Sequence, residues 1–268
     1  MHDQEKNWIL MTGVTRGIGR SLAEILRQRG ISVCGLVRPA KVQQVSGWLD
    51  AVVPWELELP WAENSAETLF STLSGKRVIG FVHAAGVLGP MDDVPDAGNV
   101  QAWVRWWSAS AAAHRVNHAS GMEILTAVLP KLSAWKNTTG KRSSFVAHLS
   151  SGAALKPYVG WNAYCASKAA ILMDFKCLAA KIAAGQTTVL SVAPGTVMTD
   201  MMKQVLASDP SAFPALPKFK SLEQSGGLVA PEVPAGQIIT WMLDSSQQQI
   251  EAWHGEFYDV RTNNSLTK

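Results

Sequence analysis

The sequence predicts one α/β domain, residues 1–268, built on a doubly wound parallel sheet with helices on both faces. Three observations lead there. A short apolar run at residues 8–11 passes through a glycine-rich turn, TGVTRGIG, straight into a helical pattern. Apolar runs and helical patterns then alternate to the end of the chain, as they do when crossover helices link parallel strands. Finally, 268 residues with 47% hydrophobic side chains supply one large core, and no repeat or low-complexity linker divides them.

The first strand, residues 8–11, leads into Gly13, Gly17 and Gly19. Gly13 and Gly17 let the backbone turn tightly and approach a pyrophosphate. Gly19 lets the following helix pack close to the strand, with its N-terminus toward the anion. That helix carries Ile18, Leu22, Ile25 and Leu26 on one face, so the whole unit reads as the start of a dinucleotide-binding fold. Residues 31–37 are a second, fully apolar strand ending at Arg38. An acid about 20 positions after the glycines would hold a ribose hydroxyl. Here Arg38 takes that place, and no acid appears until Asp50. The planar fork of an arginine pairs with a 2′-phosphate, and Arg16 is placed to clamp the same phosphate from the other side, which points to NADPH/NADP+.

Residues 51–55 are a third strand, with the acidic stretch 56–59 expected near the adenine edge. A helix over 64–73, with Asn64 as its expected N-cap, leads to a fourth strand at 78–83. That strand exits into Ala84, Ala85 and Gly86, small residues that suit a cofactor passing close to the backbone. After a polar loop at 90–98, residues 99–132 read as mainly helical and carry Trp103, Trp106, Trp107 and Asn117. A fifth strand at 145–149 delivers Ser150 and Ser151. A helix over 163–182 carries Tyr164 and Lys168, and a sixth strand at 188–193 ends in PGTVMTD. Residues 201–234, with Pro210, Pro214, Pro217, Pro231 and Pro234, read as an irregular substrate-loop region. A helix at 235–243 and a strand at 256–260 close the chain.

Tyr164 and Lys168 are four residues apart, hence on one helix face. A phenol loses its proton near ~10, and a neighbouring ammonium lowers that value, so the pair is expected to supply or remove a proton near neutral pH. Other chemistry is excluded. A net charge of +3 from scattered basic residues gives no nucleic-acid surface. No apolar run reaches the ~18 residues of a membrane span, and the polar start MHDQEKN is no signal peptide. Cys34, Cys165 and Cys177 show neither a disulfide framework nor metal-ligand spacing, so a reduced, cytoplasmic protein without a metal is expected. His114, His118 and His148 also lack ligand spacing.

In this order the motifs resemble the short-chain dehydrogenase/reductase family over nearly the whole chain. TGVTRGIG is similar to the family's TGxxxGxG turn, and HAAG at residues 83–86 stands where NNAG is usual. Asn117 fits the family's helix asparagine, Ser151 lies thirteen residues before Tyr164, YCASK supplies Tyr-x-x-x-Lys, and PGTVMTD resembles PGxxxT. SLEQSGGLVAPEVPAGQII and GEFYDV look like the sepiapterin reductase and benzil reductase group, which uses NADPH. His83 and Ala84 depart from the pattern, and the His83 imidazole either substitutes in part for the missing asparagines or is structural.

The resemblance implies a Rossmann-type fold and the reduction of a small-molecule ketone or diketone to an alcohol. Tyr164 would be the general acid, Lys168 would lower its pKa and hold the nicotinamide ribose, Ser151 would hold the substrate oxygen, and Asn117 would keep a relay water. The cofactor would touch Gly13, Thr15, Arg16, Gly17, Ile18, Gly19 and Arg38. Further contacts would come from Ala84, Ala85, Gly86, Tyr164, Lys168, Pro194, Gly195, Val197 and Thr199. Ser150 competes with Ser151, but neighbours at a strand exit point to opposite sides. Tyr158 and Trp161 are expected to join Ser151 and Tyr164 at the substrate, an aromatic lining suited to a flat carbonyl compound. Trp103, Trp106 and Trp107 read as packing or as a subunit interface, since relatives commonly form homodimers or homotetramers. Two other functions stay open: oxidation of a steroid or polyol alcohol, and a catalytically idle NADP-binding regulator.

Overall fold

A computed structural model describes residues 6–92, 94–96, 98–137 and 140–262. The first four strands are β1 (Asn7–Thr12), β2 (Ser32–Val37), β3 (Ala51–Pro54) and β4 (Arg77–His83). Then come β5 (Trp135–Asn137), β6 (Gly140–Arg142), β7 (Ser144–Leu149), β8 (Thr187–Ala193) and β9 (Phe257–Asp259). Seven of them form a parallel sheet in the order β3-β2-β1-β4-β7-β8-β9, while β5 and β6 pair as a separate antiparallel ribbon. β2, β7 and β8 are buried along their whole length, as parallel strands covered on both faces must be.

The helices are α1 (Gly17–Gln28), α2 (Glu63–Leu73), α3 (Val100–His114), α4 (Ser120–Val128) and α5 (Asn162–Lys181), then α6 (Asp200–Leu206), α7 (Leu216–Gln224), α8 (Glu232–Asp244) and α9 (Gln247–Ala252). Two cores sandwich the sheet. Leu22 and Leu26 of α1 pack with Ile238, Ile239 and Met242 of α8 on one face. Leu69 of α2, Ile124 and Leu125 of α4, and Ile171 and Phe175 of α5 pack on the other. A third cluster, with Trp161, Tyr164, Phe213, Leu216 and Phe219, caps the carboxyl edge of the strands. The chain reverses its winding direction between β1 and β4, and ligands of such sheets bind in the crevice that this switch opens.

Two expectations are corrected. Residues 201–234 are not an irregular stretch: they hold α6, α7 and the start of α8. Pro217 lies in the first turn of α7 and Pro234 in the first turn of α8, where a missing N–H breaks no helical bond, so these prolines start helices. Asn64 is not the cap of α2, whose N-cap is Ala62 and lacks a side-chain hydrogen bond. Residues 99–132 are mainly helical, as expected, and within them one π turn, Arg115–Ala119, joins α3 to α4 and carries Asn117. Trp106 is buried, while Trp103 and Trp107 are 43% and 49% exposed, with Trp107 edge to face against both Trp103 and Trp106. The β5–β6 ribbon and α9 had no counterpart in the sequence reading. No helix among the described residues is long and apolar enough to cross a membrane.

Candidate active site

One cavity of about 570 Å³ runs along the carboxyl ends of the strands. At one end it is lined by residues 13–19, Arg38 and the stretch Glu56–Leu57–Glu58. Gly13 has φ +74°, and a Cβ there would lie 2.5 Å from the Ala85 nitrogen; a Cβ on Gly19 would lie 2.3 Å from the Gly13 carbonyl oxygen. The turn is therefore wedged between the β4 exit and the start of α1, with no room for a side chain. The N-terminus of α1 has no side-chain cap, so its first N–H groups are left to the cavity, a fit for a pyrophosphate. Arg16 reaches Asp200 across the cleft at 3.4 Å.

The β4 exit is fixed by a chain of buried hydrogen bonds. The Ala85 N–H donates to Thr12 Oγ1 at 3.2 Å, and Thr12 Oγ1 lies 2.9 Å from His83 Nδ1. His83 Nε2 lies 3.1 Å from the Val116 carbonyl oxygen, which only accepts. Nε2 must therefore carry the proton, and Nδ1 accepts from the threonine. Burial lowers the His83 pKa to about 3, with Lys168 adding to the effect, so the ring is neutral. His83 thus ties the exit to the π turn. On that turn Asn117 accepts from the Val87 N–H at 2.8 Å and donates to the Val87 carbonyl at 2.8 Å and Ser167 Oγ at 2.9 Å. Asn117 is wholly buried and stands one layer behind the cavity wall. A Cβ on Gly86 would lie 3.5 Å from Asn117 Oδ1 and 3.6 Å from Lys168 Nζ, so the three groups adjoin. Asn99, in contrast, caps α3 by accepting from the Ala102 N–H at 3.1 Å.

Tyr164 and Lys168 lie one turn apart on α5, both buried and both lining the cavity. Lys168 Nζ donates to the Leu149 carbonyl at 2.8 Å and sits 5.8 Å from the Tyr164 ring centroid. Burial lowers the lysine to about 8. The expected lowering of the tyrosine is overturned: burial pushes the phenol up to about 12, against a weaker opposing hydrogen bond with Ser151. The lysine spends its charge on the end of β7 and does not offset the phenol's loss of water. Ser151 caps a short 3-10 turn, its Oγ accepting from the Ala153 N–H at 3.2 Å, and so keeps its own proton to donate. Ser150 differs: its N–H extends the ladder to the Val192 carbonyl at 2.7 Å, and its buried hydroxyl has no partner among the described residues.

After β8, Pro194, Gly195, Val197 and Thr199 line the same cavity. Val197 bridges to Val229 through bonds made by its neighbours, which leaves its own N–H and C=O unused by that bridge. Thr199 caps α6 by accepting from the Met202 N–H at 3.3 Å and keeps its hydroxyl proton free. At the far end, Tyr158 and Trp161 pack with Phe213 and Phe219, and Trp161 meets Tyr164 edge to face at 5.5 Å. The sequence reading had no means of finding Lys218, Phe219 and Arg261, which come to this wall from distant segments with no shared spacing, or Phe213, which backs Trp161 from the core.

The sequence profile of the short chain dehydrogenase family matches residues 7–210. Sepiapterin reductase from Bos taurus is 30% identical over 272 residues, covering 93% of this chain and 94% of its own. Benzil reductase ((S)-benzoin forming) from Bacillus subtilis (strain 168) is 25% identical over 256 residues, covering 94% and 97%. A crystal structure of a short chain dehydrogenase/reductase from Saccharomyces cerevisiae superposes with a TM-score of 0.76 at 25% identity, over 97% of this chain and 98% of that one. The profile spans most of the chain, the relatives span nearly all of it, and the fold superposes on that of a solved member. The chain belongs to the short chain dehydrogenase family, NAD(P)-binding oxidoreductases that act on small molecules.

Proposed function

We propose that the protein reduces a ketone or diketone to an alcohol with NADPH. The observation that carries this reading is the convergence of Tyr164, Ser151 and Lys168 on one wall of a cleft whose other end presents Arg38. When bound, the reduced nicotinamide supplies a hydride to the carbonyl carbon and leaves oxidised. The residues do the rest. Ser151 donates to the carbonyl oxygen and stabilises its growing charge. Tyr164 gives that oxygen its proton, closing the balance as an alcohol. The buried phenol, pushed up to about 12, is protonated at neutral pH, as a proton donor must be. Lys168, fixed by the Leu149 carbonyl, holds the nicotinamide ribose, and Asn117 positions the Gly86–Val87 backbone beside it. Arg38 and Arg16 select the 2′-phosphate.

The test is NADPH oxidation with a panel of ketones and 1,2-diketones, comparing NADH. Tyr164→Phe should lower kcat by roughly 100-fold or more, the scale of general acid catalysis, with NADPH binding retained. Near-normal reduction by that variant refutes the assignment, and NADH serving as well as NADPH refutes the role given to Arg38.

A further inference from the structure

The substrate wall carries a second chemical feature besides its rings. Lys156 Nζ lies 5.6 Å and Lys218 Nζ 5.8 Å from the centroid of Tyr158. Arg261 is close enough to interact electrostatically with the same tyrosine, and it packs over Gly195 beside the cleft, where a glycine Cβ would meet its Cδ at 2.9 Å. All three cations line the cavity that holds Tyr164. They come from three separate places in the chain: the loop before α5, the first turn of α7, and the segment after β9.

The acids near them are already occupied. Asp259 is clamped by Arg261 at 2.5 and 2.9 Å, and Asp200 pairs with Arg16 and Lys203 at 3.4 and 3.3 Å. Glu56 and Glu58 line the opposite end, next to Arg38. Lys156 and Lys218 make no ion pair with any described residue. Lysines over a ring often only cover it. Here two ammonium groups without an ion pair flank a single aromatic residue, beside a guanidinium that already holds Asp259, and an anion at this place would join the two ammonium groups.

We propose that the substrate is an aromatic carbonyl compound bearing an anionic group, a carboxylate or a phosphate. Its ring lies against the Tyr158–Trp161–Phe219 wall, which Phe213 backs from behind, and its anion meets Lys156, Lys218 and Arg261. This deepens the reductase reading and rests on it. The wall fixes the ring, the cations fix the far end, and together they hold the carbonyl at Ser151 and Tyr164.

The experiment compares an aryl 1,2-diketone carrying a propanoate arm on its ring with the same compound as its neutral primary amide. The arm insulates the charge from the carbonyls, so the intrinsic reactivity of the two is matched. With NADPH at low salt, kcat/KM for the acid should exceed that for the amide about tenfold, the product of two or three partly exposed charges each worth a few-fold. The ratio should fall toward one at about 0.5 M salt, where exposed charges are screened, and also in the Lys156→Gln/Lys218→Gln double variant. A wild-type ratio of one or below, or an acid preference unchanged in the double variant, overturns the proposal. NADPH oxidation with neither compound overturns the reductase reading beneath it. The corresponding aryl phosphate, run alongside, tells which anion is preferred.

Discussion

His83 offers the sharpest test of the site's electrostatics. Its ring is wholly buried, makes two hydrogen bonds, and has its pKa lowered from 6.5 to about 3. The unfolded chain therefore binds a proton at this position as pH falls through 6.5, while the folded chain does so only near 3. Between those values the unfolded state holds more protons, so folding stability falls as pH falls. The full window of about three and a half pH units at 1.36 kcal/mol each costs about 5 kcal/mol, against a total of only ~5–15 kcal/mol for a typical domain. Integrated from about pH 7.5 to about pH 5, the loss is about 2 kcal/mol. His83→Asn keeps a neutral side chain with a donor and an acceptor but does not titrate. Urea unfolding of both proteins across that range isolates the term, because every carboxylate is common to the two. The stability difference, wild type minus variant, should move against the wild type by about 2 kcal/mol at the acid end. Parallel curves would refute both the buried neutral tautomer and the hydrogen-bond chain built on it.

Three further outcomes follow from the geometry. Lys168, lowered to about 8, titrates long before Tyr164 at about 12, so reduction should hold to about pH 8 and decline above it as the ammonium is lost. In Lys168→Arg, which stays protonated, that limb should disappear from the kcat/KM profile, and an unchanged limb assigns it elsewhere. Gly13→Ala forces a side chain into a φ of +74° and against the Ala85 backbone, so stability should drop by at least ~1–3 kcal/mol and NADPH binding should be lost; tight binding in fluorescence titration would contradict the wedge. Phe213→Ala removes a fully buried ring stacked on Trp161 at 4.6 Å, an expected cost of about 3–5 kcal/mol in urea unfolding, and a change below 1 kcal/mol would show the cap to be loosely packed.

Much of the fold was legible because it depends on local pattern. The apolar runs of β1, β2, β4, β7 and β8 and the glycines before α1 each carry their own signal, and order alone makes them a sheet. What failed was read from residue type without position. Pro217 and Pro234 look like breakers in a string of letters, yet in a first helical turn they break nothing. Asn64 has the right chemistry for a cap and misses the N-cap position by two residues. The pairing of Tyr164 with Lys168 was found from a four-residue spacing, but the sign of the tyrosine shift was not. Desolvation depends on the whole surrounding core, and no spacing reports it. The same holds for His83, whose partners Thr12 and Val116 lie far off in sequence and meet it only through strand register and the packing of the π turn.

The π turn at Arg115–Ala119 also governs how the chain can vary in length. Such a turn holds one residue more than an α turn. The extra residue is absorbed in the widened turn, so α4 beyond it keeps the phase that buries Ile124, Leu125 and Val128. One residue deleted between Arg115 and Ala119 would leave a regular helix with that phase intact, but it would remove the turn that carries Asn117 and offers the Val116 carbonyl to His83. One residue deleted within α4 would instead rotate everything beyond it by about 100° and swing its apolar side chains off the sheet. The wide turn therefore serves the site behind the cleft and leaves the packing of α4 as a plain helix would have it.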